Sequence, residues 1–89
     1  MEVLEMKNLY REETGLYYRR NFTGLAVIAL PIKTIEVPLN FNIEVSSMGC
    51  KNFDIELKDK IDYPLLPVLK KLKEYIAYLE KEGKLPWLL

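Results

Sequence analysis

The stretch "IEVPLNFNIEVSSMGCKNFDIEL", residues 35–57, alternates apolar and polar side chains almost without interruption. A period of two belongs to a β-strand, whose successive side chains point to opposite faces of a sheet. Ile35, Val37, Leu39, Phe41, Ile43 and Val45 therefore point one way, and Glu36, Pro38, Asn40, Asn42, Glu44 and Ser46 the other. After the loop "SSMGCKN" the pattern resumes with Phe53, Ile55 and Leu57 inward, which predicts a hairpin. Matching apolar to apolar sets Val45 against Phe53, Ile43 against Ile55 and Phe41 against Leu57, because a one-residue slip would turn every one of these side chains into water. Pro38 has no amide hydrogen, so one side of the strand near it is expected to be unpaired, at an edge or beside a bulge.

The flanks supply the other elements. Val3, Met6, Leu9 and Tyr10 recur at helical spacing and Thr14-Gly15 supplies a stop, which predicts an N-terminal helix over 1–14, although Glu12 and Glu13 stand where the macrodipole disfavours acids. "LYYRR" and "LAVIAL" read as two strands joined by a turn at "NFTG", the second apolar on both faces and so covered on both sides. From Pro64 to Glu82 the period becomes helical. Leu65, Val68, Leu69, Leu72, Tyr75, Ile76 and Leu79 form one stripe, and Lys70, Lys71, Glu74, Tyr78 and Lys81 lie opposite. Asp62 or the Tyr63-Pro64 turn starts this helix and Gly83 ends it, while Pro67 points to a regular part that begins a turn later. The chain thus reads as a single α+β domain over 1–89: a helix at 1–14, a four-stranded antiparallel meander within 16–61, a long helix at 64–82 across its apolar face, and an apolar tail at 84–89.

Composition narrows the chemistry. There is no histidine, which removes Ser-His-Asp and Cys-His catalysis, imidazole acid-base chemistry and His-containing zinc sites. The one cysteine, Cys50, cannot form an internal disulfide and fits a reducing compartment. The glycines at 15, 24, 49 and 83 are isolated, each where a turn or helix end is expected, so no phosphate-binding loop is present. Thirteen basic residues balance thirteen acidic ones, which argues against a dedicated nucleic-acid or anionic-membrane binder. The longest apolar run, "GLAVIALPI", is far below the roughly 20 residues of a spanning helix. The opening "MEVLEMKNLYREE" lacks the features of a signal peptide, so a cytoplasmic location is expected and "NFT" at 21–23 is not a glycosylation site. A hydrophobic content of 49% is hard to bury in 89 residues, and a homo-oligomer, foremost a dimer, is expected.

No catalytic or cofactor site emerges, and a non-enzymatic interaction or assembly module is the leading reading, with no cofactor. The expected register sets Glu44 across from Asp54, with Glu56 on the same face, and clustered carboxylates suit a hard cation such as Mg²⁺ or Ca²⁺; a solvated face relieved by Lys51, Lys58 and salt is the competing account. Tyr17, Tyr18, Arg19 and Arg20 combine aromatic and cationic groups suited to nucleic acid or a nucleotide, but alternation divides them between two faces. Tyr78 is an expected exposed anchor for a protein partner. Trp87, Leu88 and Leu89 either close the core or dock on another subunit.

Overall fold

In the computed structural model, which describes residues 1–13, 15–16 and 18–86, the alternating stretch forms strands β3 (Thr34–Val45) and β4 (Lys51–Leu57). They share one antiparallel sheet with β1 (Glu2–Glu12) and β2 (Arg19–Ala29), in the order β1-β2-β3-β4. Helix α1 (Leu65–Lys81) follows and crosses one face of the sheet, approaching β1 on one side and β4 on the other. The four-stranded meander and the C-terminal helix agree with the sequence pattern, but the expected N-terminal helix is absent and its residues are a strand.

The helical spacing of that strand has a different cause. Its register against β2 slips between Val3 and Glu5 and again between Lys7 and Tyr10. Each slip inserts one residue as a β-bulge, so inward positions fall three apart instead of two. Val3, Met6 and Leu9 consequently all pack on the core. Asn8, inside the second bulge, has φ of 53°, a left-handed conformation that Asn tolerates better than most side chains.

The turn expected at "NFTG" is also absent, since these four residues lie within β2. Phe22 is 1% exposed and stacks on Phe41, its direct cross-strand neighbour, with ring centroids 4.8 Å apart. Burial of that aromatic pair outweighs the local turn preference of Asn and Gly. Gly24 serves packing rather than a turn. A Cβ there would stand 2.9 Å from Leu9 Cδ2, so the bulge of β1 lays Leu9 over bare backbone of β2.

Between β3 and β4 the observed pairs are Leu39 with Leu57, Phe41 with Ile55 and Ile43 with Phe53, two residues away from the expected register. A shift of two keeps every apolar side chain on the same face, so apolar matching alone does not separate the two arrangements. The loop does. The Ser46 amide donates to the Cys50 carbonyl at 2.8 Å, and Gly49, at φ of 83°, donates to the Ser46 carbonyl at 2.9 Å. Ser46 Oγ accepts from the amides of Met48 and Cys50, closing a tight turn that leaves Val45 opposite Lys51. Pro38 behaves as expected: its carbonyl accepts from the Lys58 amide at 2.9 Å, and its missing donor points to the same side, just past the end of β4 at Leu57.

Val68, Leu72 and Ile76 of α1 are fully buried against Phe22, Ile28, Leu39 and Ile43. The helix starts at Leu65 with no side-chain cap, so neither Asp62 nor a later start applies. Pro67 is tolerated because amides of the first turn have no carbonyl partner within the helix. At the other end Gly83, at φ of 67°, lets Lys84 donate to the Leu79 carbonyl at 2.9 Å and itself donates to Glu80 at 3.2 Å, a Schellman ending. Leu85 then folds back and is 8% exposed.

On the face away from the helix, Val27 is 9% exposed although no second layer covers it among the described residues. Lys7 lies opposite Leu25 and Glu36 opposite Val27, and their 2.7 Å ion pair crosses β2. The two methylene stems lie over the apolar strand beneath, which accounts for its two-sided apolar character.

Candidate interaction surface on the edge strand

The sheet has two edges, and they are built differently. The bulges and the left-handed Asn8 interrupt β1 along its length, a device that blunts pairing with another chain. By contrast β4 pairs with β3 in unbroken register from Lys51 to Leu57 and contains neither proline nor glycine. Backbone groups alternate sides along a strand. Because the Lys58 amide faces β3, those of Glu56, Asp54 and Asn52 do too, and Phe53, Ile55 and Leu57 turn their N–H and C=O to the free edge. The side chains of the same three residues lean toward the helix and are only partly buried.

Beside this edge, where the chain leaves β4 and enters α1, lies a groove of about 500 Å³. Ile55, Leu57, Ile61, Tyr63, Leu65 and Leu69 provide its apolar walls. Leu65, expected on the buried stripe, is 51% exposed here, and its neighbour Leu66 is 79% exposed.

The opposite face of β4 is polar. Asp54 lies across from Asn42, and Glu56 across from Asn40. With Glu12, Arg19 and Asn21 they line a hollow of about 350 Å³. The amide oxygens Oδ1 of Asn40 and Asn42 are enclosed and accept no hydrogen bond among the described residues. Nor does Asp54 or Glu56 form an ion pair among them. The side of the sheet next to β4 is therefore rich in unfilled acceptors.

The observed register separates the expected acidic pair. Glu44 faces Asn52 on β4, and on its other side it faces Arg19, whose Nη1 lies 3.4 Å from Glu44 Oε2. Asp54 and Glu56 remain together without Glu44, and the described residues hold no cluster of three His, Cys, Asp or Glu groups suited to a metal ion.

Arg19 and Arg20 point to opposite faces. Arg19 Nε also donates to Asn21 Oδ1 at 3.2 Å on the outer face. Arg20 lies on the helix side, where its Nη2 and Lys51 Nζ each reach Glu80 Oε1 at 2.7 Å. Glu80 is 15% exposed, and the Arg20 hydrogen bond, aided by Lys51 and opposed by desolvation, lowers its pKa to about 2. No periodicity marked this cluster in advance, because its members stand 60 and 29 residues apart. Tyr78 is 47% exposed, and Lys84 Nζ donates to its hydroxyl at 3.2 Å. The same ammonium lies 5.3 Å from the ring centroid, and the hydroxyl contact raises the Lys84 pKa. Tyr18 is exposed, whereas Tyr17, Trp87, Leu88 and Leu89 lie outside the described residues.

No helix among the described residues is long and apolar enough to cross a membrane. The sequence model of the BB-0187 family, whose function is uncharacterised, matches residues 1–81, nearly the whole sheet and helix. No curated protein and no solved structure matches the chain.

Proposed function

The chain belongs to that uncharacterised family, and we propose that it is a small non-enzymatic interaction module that takes up an extended segment along the free edge of β4. One observation carries this reading: the regular, unbulged edge at Phe53, Ile55 and Leu57 adjoins an apolar groove lined by Ile61, Tyr63 and Leu69. Strand addition draws affinity from main-chain hydrogen bonds and specificity from side chains entering such pockets. A cytoplasmic setting accords with the exposed free thiol of Cys50.

The homodimer expected from composition competes for the same edge. Nucleic-acid binding finds less support, because Arg19 and Arg20 sit on opposite faces, each against a carboxylate. The reading is tested by amide hydrogen exchange with and without a blocked peptide of alternating threonine and valine. Slower exchange at Phe53, Ile55 and Leu57 supports it; unchanged exchange there at millimolar peptide refutes it.

A further inference from the structure

We infer that the segment received by β4 alternates basic and apolar residues, an inference that rests on the edge reading above. The first argument is geometric. Phe53, Ile55 and Leu57 point their backbone groups outward, so in an antiparallel addition Asp54 and Glu56 occupy the non-hydrogen-bonded positions. Facing side chains come closest at those positions. On the helix side, the incoming residues opposite Phe53, Ile55 and Leu57 meet partly buried apolar groups and the groove; on the outer side their neighbours meet two carboxylates that hold no ion pair among the described residues.

The second argument concerns hydrogen-bond supply. The enclosed Oδ1 atoms of Asn40 and Asn42 sit one strand further in, across from Glu56 and Asp54. Acidic or purely apolar side chains bring no donors to this face, whereas lysine and arginine carry three and five N–H donors on long flexible stems. Their charge and their donors are both what the surface lacks.

The third argument excludes a second copy. An antiparallel pair of β4 strands centred on Asp54 sets Asp54 against itself, and one centred on Glu56 does the same for Glu56. Centring on Ile55 sets Asp54 against Glu56 twice. Like charges directly opposed across a ladder are destabilising. A pair centred on Phe53 avoids the clash but leaves Leu57 and the groove uncovered.

The experiment uses the whole chain and three blocked peptides of the length of β4, alternating valine with lysine, threonine or glutamate. Fluorescence anisotropy measures affinity, and NMR amide shifts locate the contact. The lysine peptide should bind at least about tenfold more tightly than the glutamate one, with the difference falling as salt rises. Its contact should map to Phe53, Ile55 and Leu57, and Asp54→Asn with Glu56→Gln should bring lysine and threonine peptides to equal affinity. Should all three peptides bind that edge equally well, the basic preference is overturned while the edge reading stands. If none of them shifts the edge amides, the edge reading itself falls. A dimer in solution whose interface maps to those amides overturns the inference in favour of a second copy.

Discussion

Glu80 carries the heaviest single electrostatic role among the described residues, because it receives both Arg20 and Lys51 in a half-buried position. With its pKa lowered from the usual 4.5 to about 2, it contributes stability that is fully present above pH 4.5 and lost as pH falls through 2. Glu80→Gln should lower stability at pH 7 by on the order of 2 kcal/mol, discounted from the full shift because Lys51 is largely exposed to water and salt. Urea midpoints for wild type and variant should converge between pH 4.5 and pH 2, and a difference that persists at the acid end would contradict the assignment. Arg20→Met should remove the larger part of the effect and Lys51→Met the smaller.

At the level of elements, the two edge strands make opposite predictions. Asn8 holds a left-handed turn in the bulge of β1, so Asn8→Gly should be nearly neutral while Asn8→Val should cost about 1 to 2 kcal/mol, read from the urea midpoint. In β4 a proline tests which way each amide points. Ile55→Pro removes a donor from the free edge and spares the β3 ladder, whereas Glu56→Pro removes a ladder bond. The first should leave a folded chain that no longer takes a strand on that edge, and the second should unfold at clearly lower urea. Equal destabilisation by both would mean that the outward assignment of Ile55 is wrong.

For the whole molecule, stability rests on one layer of helix against one sheet. Leu72 is fully buried at that interface, and Leu72→Ala should cost about 2 to 5 kcal/mol, a large part of the stability of a domain this small. The exposed Leu66 lies outside that layer, and Leu66→Ala should fall within about 0.5 kcal/mol of wild type in the same urea titration. Self-association is read from sedimentation across micromolar concentrations. A monomer is the outcome expected if the carboxylates of β4 keep copies apart, and a dimer abolished by Ile55→Pro would reverse that conclusion.

The faces of β3 and β4 and the buried stripe of α1 were legible in the chain, because periods of two and 3.6 state directly which side chains share a surface. The absence of histidine and of glycine-rich loops was equally plain, since composition needs no structure to exclude chemistry. What the tertiary structure alone decided was pairing. An even register shift preserves every face, so only the compact loop closed by Ser46 and Cys50 could separate Glu44 from Asp54. Two bulges make a strand imitate the spacing of a helix, and only the neighbouring β2, with Gly24 beneath Leu9, makes that strand the lower-energy form. The Arg20, Lys51 and Glu80 cluster and the difference between the two sheet edges belong to the same class. They arise where distant segments meet, and periodicity within one segment carries no record of its neighbours.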